Sequence, residues 1–378
     1  MKLGPHHLAY CTNVHPAETW EATLQALKEH TLKVRDEVCP EKAFAIGLRL
    51  SDQASRDLSL PGQLEAFQDW LASENAYVFT INGFPFGDFH NTRVKEQVYR
   101  PDWSSPERLA YTNRLFDIIS QLAPASSGGS VSSLPASFKA FDCDERKVFK
   151  NLESCARHIE SLAEKTGKDL HLGLEPEPLG HFENTAETVA FFARLRDSAE
   201  DAALIERRIG VNYDTCHFAL EYENCSKSLE AFKAAGIRIS KIHLSNALSL
   251  DPSSVEALSR LEDFNEATYL HQVMVRQENG TIQRFPDIPE ALPTADRSAP
   301  EWRVHFHIPL YADPAPPLGS TRDHAEEAIA HLLKHPETCP HLEIETYTWG
   351  VLPADFQKPV TGMIVDEYRW VLDQFSPR

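Results

Sequence analysis

Leu172-Gly173-Leu174-Glu175 is the stretch that decides the fold, because it is a short, largely apolar run that ends in a carboxylate. Three later runs likewise place an acid or a histidine at or near their ends: Val211-Asn212-Tyr213-Asp214, Lys241-Ile242-His243-Leu244 and Leu342-Glu343-Ile344-Glu345. In a (β/α)8 barrel the C-terminal ends of the strands form the mouth, where active sites lie. The order Glu, Asp, His, Glu therefore predicts a metal site at the mouth of such a barrel.

Working outward from these runs, predicted strands alternate with predicted helices along the chain. The predicted strands are 7–11, 44–50, 77–82, 130–133, 171–175, 210–214, 238–244 and 341–346. The predicted helices are 17–38, 61–74, 106–122, 143–166, 186–198 and 322–334. Repeated βα units indicate a parallel sheet in the α/β class. We therefore expect one TIM-barrel domain over residues 1–378.

The segment Asn246–Trp302 interrupts this alternation and is too long for a plain loop. Within it, Asn279-Gly280 lies between two alternating stretches, which is a β-hairpin signal. We expect an inserted hairpin after strand seven that folds over the barrel mouth. It would bring His305 and His307, which lie in Arg303-Val304-His305-Phe306-His307, above the metal.

Composition narrows the possible functions. The formal net charge of −19 disfavours nucleic-acid binding, because phosphate contacts dominate such affinity. The seven cysteines are scattered, which favours reduced thiols. No stretch is long and apolar enough to suggest membrane insertion or a signal segment, so we expect a cytoplasmic protein.

Side-chain alternation along strands selects the metal ligands. We predict one divalent ion bound by Glu175, Asp214, His243 and Glu345. Carboxylate and imidazole ligands suit Mn, Zn, Fe or Co better than Ca. Any one of these residues alone would more often be a solvated strand end, so the prediction depends on the set. Glu343 should lie one layer deeper, hydrogen-bonded to Lys241.

Further polar residues are predicted around the metal. His217 follows Asp214 by three positions and can face the same site. Phe84, Phe86 and Trp103 would form apolar walls, although core packing under a lid explains them equally well. The predicted substrate-binding residues are Asn13, His15, Arg49, Asn82, His90, Trp103, Glu177, Lys241, His305 and His307.

The ligand set resembles the xylose isomerase-like superfamily of TIM barrels, which includes sugar isomerases, 3-epimerases and endonuclease IV. Members of this superfamily present Glu, Asp with a following His, His and Glu on strands five to eight. The corresponding residues here are Glu175, Asp214 with His217, His243 and Glu345. Endonuclease IV-like members carry an acid-x-His pair where this chain has His305-Phe306-His307.

One branch is more similar still, that of the metabolite traffic protein EboE, whose members are encoded with an operon implicated in exporting a small precursor metabolite. The segments that carry this resemblance are His7–His15, Gly47–Ser51, Val78–Pro85, Arg100–Trp103, Leu174–Pro178 and Leu342–Trp349. The resemblance leaves room for partner proteins of the same operon or a homo-oligomer.

The leading functional prediction is metal-dependent isomerase or epimerase chemistry on a hydroxylated or carbonyl-bearing small molecule. Glu175 and Glu345 would move protons, and His217 would orient an oxygen. A non-catalytic metabolite-binding component is the first alternative. An endonuclease IV-like phosphodiesterase is the second, and the acidic net charge argues against it.

Overall fold

A computed structural model of the chain describes residues 1–87, 95–266, 268–312, 314, 316–348 and 359–376. The strands of these residues, numbered in chain order, are β1 (Lys2–Leu3), β2 (His6–Tyr10), β3 (Phe44–Arg49), β4 (Ala76–Asn82), β5 (Gly129–Ser133), β6 (Leu170–Leu174), β7 (Ile209–Asp214), β8 (Ile239–Leu244), β9 (Leu248–Leu250), β10 (Val273–Arg276), β11 (Ile282–Phe285), β12 (Glu301–Val304), β13 (Leu318–Ser320) and β14 (His341–Ile344).

The helices lie between and around these strands. They are α1 (Trp20–Ala26), α2 (Leu32–Val38), α3 (Asp52–Leu58), α4 (Gln63–Ser73), α5 (Pro106–Leu122), α6 (Glu145–Thr166), α7 (Thr185–Ser198), α8 (Ala202–Arg208), α9 (Thr215–Leu220), α10 (Cys225–Ala234), α11 (Val255–Glu262), α12 (Ile288–Thr294), α13 (Arg322–Lys334) and α14 (Val360–Phe375). A short π-helix, Leu27–Thr31, joins α1 to α2. None of the helices in the described part of the chain has the length and apolar character needed to cross a bilayer.

Eight parallel strands form the barrel, in the spatial order β2-β14-β8-β7-β6-β5-β4-β3. A parallel bridge between Cys11 and Gly47 joins β2 to β3 and closes the circle. The short strand β1 pairs antiparallel with β2. The fold is therefore the (β/α)8 TIM barrel predicted from the strand ends.

Local signals explain the helix ends. Helix α5 begins where predicted, because the Ser105 hydroxyl accepts from the Glu107 N–H (3.1 Å) and Pro106 occupies the first turn. Helix α6 ends at Gly167, whose φ of 68° suits glycine. Helices α3 and α8 were not predicted, since each has only seven residues and lacks a long apolar period.

The segment between β8 and β14 forms a second sheet, with the order β11-β10-β12-β9-β13. Strands β10 and β11 pair antiparallel on either side of Asn279-Gly280, where Gly280 has a φ of 83°. This sheet continues through β13, past the predicted boundary at Trp302, because β12 and β13 both pair with β9.

The inserted sheet contacts the loops at the barrel mouth. Arg284 of β11 forms an ion pair with Glu183 (3.0 Å) and a second ion pair with Glu221. The Gln272 side chain donates to the Pro178 carbonyl (3.2 Å), just beyond β6. The insertion is thus held on the side of the barrel where the strands end.

Candidate metal centre

Four side chains from consecutive barrel strands converge at the mouth, and we call them the four-ligand centre. They are Glu175 after β6, Asp214 at the end of β7, His243 in β8 and Glu345 after β14. One ligand atom from each lies within 4.8 Å of those of the others, and all four residues are buried. His243 Nδ1 lies 2.8 Å from Glu345 Oε2, 3.0 Å from Glu175 Oε1 and 3.5 Å from Asp214 Oδ2.

A buried ion pair below the centre orients His243. Its Nε2 lies 2.9 Å from Glu343 Oε2, which also accepts a hydrogen bond from Lys241 Nζ (2.6 Å). Because the ionised Glu343 carboxylate can only accept, Nε2 carries a proton. Burial acts to lower the pKa of His243, but the Glu345 charge outweighs it and raises that pKa well above its usual value, so Nδ1 is also protonated and donates to the acids. A metal ion bound by Nδ1 would replace that proton. This is the carboxylate–histidine arrangement of metal sites. The predicted contact between Glu343 and Lys241 is confirmed.

A glycine makes room for this pair. A Cβ atom on Gly47 would lie 1.9 Å from Glu343 Oε1 and 2.6 Å from the Tyr10 carbonyl oxygen. No larger residue fits at that position without displacing the Glu343 carboxylate or the backbone of β2. Glycine is therefore required at position 47, because the Glu343 carboxylate and the β2 backbone approach too closely to leave room for a side chain.

The donor set fits a divalent cation. Among the described residues, Glu175 Oε2 and Asp214 Oδ2 are buried without a hydrogen-bond partner. Buried carboxylate oxygens are costly unless a cation or donor meets them. Three carboxylates and one imidazole suit Mn²⁺, Fe²⁺, Co²⁺ or Zn²⁺. The chemistry and placement of these atoms thus match the predicted ligand set.

Burial and neighbouring charges shift the acids in opposite directions. Burial raises the pKa of Glu345 to about 7. Burial also acts to raise the pKa of Asp214, but His217 and His243 outweigh it and hold that pKa well below its usual value. Burial and the Glu175 charge raise the pKa of Glu177 well above its usual value. The site thus combines an ionised acid with acids that hold protons more tightly.

A cavity of about 70 Å³ opens above the four-ligand centre. It is lined by Asn13, Asn82, Phe84, Pro85, Val98, Glu175, Glu177, His217, His305, Glu345 and Tyr347. The side-chain amides of Asn13 (2.9 Å) and Asn82 (3.0 Å) both donate to Glu345 Oε1. These two predicted substrate contacts therefore also orient one oxygen of a candidate ligand.

Three imidazoles meet beside this cavity, and we call them the three-histidine cluster: His217, His305 and His307. His305 Nε2 lies 3.2 Å from His217 Nε2 and 3.2 Å from His307 Nε2. Burial lowers the pKa of His305 well below its usual value and that of His307 to about 4. The structure thus brings all three together, as expected for histidines that face the mouth.

Four other predicted substrate contacts lie away from the cavity. His15 stacks on His30 and its Nε2 is 2.9 Å from the Tyr10 hydroxyl, while Arg49 donates to the Ala17 carbonyl and pairs with Glu18. Trp103 Nε1 donates to Ser133 Oγ (3.0 Å), and Lys241 is occupied by Glu343. Each of these side chains contacts other groups inside the protein, and none of them lines the cavity.

The remaining positions complete the comparison with the sequence. Phe84 lines the cavity as predicted, whereas Phe86 packs against Tyr111 (5.1 Å between ring centroids). His90 falls outside the described residues. Val98 and Tyr347 line the cavity but were not predicted. Tyr347 lies two positions after Glu345, so the strand-end pattern could have indicated it; Val98 carries no such signal.

A larger groove, about 470 Å³, lies elsewhere on the barrel. It is bordered by residues of α8, α10 and α13, and by Ile239 at the first position of β8. The start of a barrel strand lies at the end opposite the mouth, and active-site residues of TIM barrels are not expected at that end. The smaller cavity over the four-ligand centre is therefore the candidate functional site.

Fold and site together define a TIM barrel with a buried, metal-type donor set at its mouth. No protein-family model and no curated protein matches this sequence. Solved structures of similar architecture include a zinc-binding IolI protein (11% identical, 98% of each chain covered, TM-score 0.48). Others are a D-tagatose 3-epimerase-like protein (11%, 98% of this chain and 99% of that one, 0.49) and E. coli 3-keto-D-glucoside 4-epimerase YcjR (11%, 97% and 99%, 0.46). These likenesses are weak, so the fold assignment rests on the strand pairing.

Proposed function

We propose that the protein is a metal-dependent enzyme that isomerises or epimerises a hydroxylated or carbonyl-bearing small molecule. The observation that carries the proposal is the four-ligand centre, which holds two buried carboxylate oxygens without a hydrogen-bond partner and contributes Glu175 and Glu345 to the lining of a cavity. Buried charge of this kind is stabilised when a cation and a polar substrate complete the site.

Glu175, Asp214, His243 and Glu345 would hold the ion. A divalent ion bound there would act as a Lewis acid, polarising a substrate oxygen and making the adjacent C–H bond more acidic. The protein's own part is then to orient the substrate and to move a proton.

Glu345 is the best-placed group for proton transfer. It lines the cavity over the four-ligand centre, where a substrate would lie. Asn13 and Asn82 fix its Oε1. Glu175 faces the same cavity and would serve as the second proton-transfer group. His217 would orient a substrate oxygen, and a protonated Glu177 would donate a hydrogen bond to a hydroxyl.

At a finer level, we propose that the substrate is a precursor metabolite of the kind handled by EboE-type traffic proteins. The resemblance segments support this, because they are spread from His7 to Leu342 and beyond. A cytoplasmic location and partners from one operon belong to the same proposal.

The test is proton exchange at carbon. Protein stripped of metal and reloaded separately with Mn²⁺, Fe²⁺, Co²⁺ or Zn²⁺ is incubated in D2O with a panel of ketoses and aldoses, and deuterium incorporation is followed by NMR. We expect incorporation with wild-type protein and none with Asp214→Asn. Asp251→Asn, which alters an exposed acid, is the control and should behave as wild type.

Two other results would change the assignment. Saturable, metal-dependent binding without exchange or product would favour the non-catalytic metabolite-binding alternative. Absence of both metal binding and substrate binding would refute the proposal.

A further inference from the structure

The lining of the cavity above the four-ligand centre has two chemically different parts. In the polar part, the amides of Asn13 and Asn82 donate to Glu345 Oε1, and His217 Nε2 lies 3.2 Å from His305 Nε2. All of these residues line the cavity. In this part of the lining, a ligand oxygen can meet a donor, an acceptor or the proposed metal ion.

The second part of the lining is an apolar wall, whose members among the described residues are Phe84, Pro85, Val98 and Tyr347. The wall is continuous. The Phe84 ring packs edge-on against Tyr99, the residue next to Val98, with 5.6 Å between the ring centroids. Val98 and the Tyr347 ring both pack against Tyr269. The connection between β4 and α5 and the segment after β14 thus build one apolar surface together.

The size of the cavity makes any ligand touch both parts. The cavity holds about 70 Å³, which is roughly two or three water molecules at about 30 Å³ each. A ligand that places two oxygens at the four-ligand centre therefore also occupies the space against the apolar wall.

That space favours carbon over oxygen. A hydroxyl directed at the side chains of Phe84, Pro85 or Val98 would lose its hydrogen bonds to water, and these side chains offer no partner in return. An alkyl group in the same place would instead be removed from water, which is favourable. Every carbon of a free ketose or aldose carries an oxygen, so such a sugar fits this part of the lining poorly.

We propose that the substrate carries an alkyl or other apolar group next to its hydroxyl and carbonyl oxygens, and that the apolar wall selects this group. The inference rests on the proposed function, because it takes the four-ligand centre as the place where the two oxygens bind. Apolar pockets discriminate about 10–200-fold for one methylene group and about 100-fold against an added hydroxyl. We therefore expect a preference of about 100-fold over a fully hydroxylated analogue.

The test compares two matched probes. 1-Hydroxy-2-butanone and L-erythrulose have the same four-carbon chain and the same HOCH2–CO end, and they differ only in the hydroxyls on the other half. Metal-reloaded, full-length protein is incubated with each probe in D2O, and deuterium incorporation at C1 is followed by NMR. Each rate constant is corrected for the exchange measured without protein. Binding of each probe is measured separately by calorimetry. We expect 1-hydroxy-2-butanone to be favoured in kcat/KM and in affinity.

One variant changes the wall itself. Val98→Thr places a hydroxyl on the apolar wall in a side chain of nearly the same shape. It should reduce the preference by about 3–10-fold, the effect of one hydrogen bond. Val255→Thr makes the same substitution on α11, at a valine whose side chain is 80% exposed, and should leave the preference unchanged. Circular dichroism melts establish folding, and the wild-type preference decides the question even if Val98→Thr does not fold.

The outcomes separate this inference from the proposed function. Exchange with both probes at equal rates, or faster exchange with L-erythrulose, would overturn the inference and leave the proposed function intact. Preferential binding of 1-hydroxy-2-butanone without exchange would support the inference and refute the proposed reaction. A preference that folded Val98→Thr leaves unchanged would overturn the role of the wall. Failure to bind either probe would also overturn the inference, and the panel of ketoses then tests the proposed function by itself.

Discussion

In the proposed metal centre, the Glu343 carboxylate would control how His243 binds the ion, and replacing Glu343 with glutamine tests this directly. Glu343 accepts from His243 Nε2 (2.9 Å) and from Lys241 Nζ (2.6 Å). Glu343→Gln keeps an oxygen acceptor but removes the negative charge that makes the imidazole a stronger ligand. Loss of such an outer partner typically weakens metal affinity about 10–100-fold, which is about 1.4–2.7 kcal/mol.

The single variant has a second effect that must be separated from the first. Lys241 and Glu343 are fully buried, so glutamine would leave the Lys241 ammonium without its anion. Breaking a buried pair by removing one partner costs about 3–5 kcal/mol of folding stability. The double variant Lys241→Met/Glu343→Gln removes both charges. It should recover much of the lost stability while metal affinity stays low.

The assay is a competitive chelator titration with Zn²⁺ and with Co²⁺, together with thermal melts of each apo protein. Lys95→Met/Asp287→Asn is the control, because it removes another largely buried lysine–acid pair that does not contact the four-ligand centre. We expect wild-type metal affinity in that control. Wild-type affinity in a folded Lys241→Met/Glu343→Gln protein would refute the role assigned to Glu343.

Three further predictions follow from other parts of the structure. Gly47→Ala should lower the unfolding free energy by about 1–3 kcal/mol in denaturant titrations, since its Cβ would meet Glu343 Oε1 at 1.9 Å. Burial raises the pKa of Glu367 to about 8, so the stability that this neutral acid contributes is present below its ordinary pKa of 4.5 and is lost as pH rises through 8. Glu367→Gln should therefore raise the unfolding free energy at pH 8 by on the order of 3–4 kcal/mol, with little change at pH 4.5; equal effects at both pH values would contradict this. Finally, a fluorescence titration with duplex DNA at physiological salt should show no binding, because the net charge is −19.

The barrel and the convergence of its four strand-end residues could be predicted because both depend on short-range patterns. An acid at the end of an apolar run indicates both that the run is a strand and which of its ends lies at the mouth. For this reason Glu175 and Asp214 were placed correctly at strand ends. Alternation places Glu343 and Glu345 on one face, and position along the strand then distinguished Glu345, nearer the mouth, from Glu343, one layer below. These inferences require no knowledge of which strands pair.

Long-range packing explains what the sequence did not reveal. Arg49 is the last residue of a strand, as Asp214 is, but it is occupied by the Ala17 carbonyl and Glu18, which approach from a separate loop. Likewise, β9 and β13 are three-residue strands whose pairing joins positions about seventy residues apart, so no local pattern marks them. Polar residues outside the strand ends could therefore not be assigned by spacing alone.

The inserted sheet leaves and rejoins the barrel at one place. The Thr321 N–H donates to the Ala247 carbonyl (3.0 Å), and the Ala247 N–H donates to Thr321 Oγ1 (2.9 Å). Segments whose two ends lie close together are the ones that tolerate exchange, and because both end residues are buried here, a replacement must keep their packing. The stretch between these two residues is thus a natural cassette. A short turn could replace this segment in the barrel. A different segment grafted onto the same pair of residues would cover the four-ligand centre differently and would change the substrate specificity.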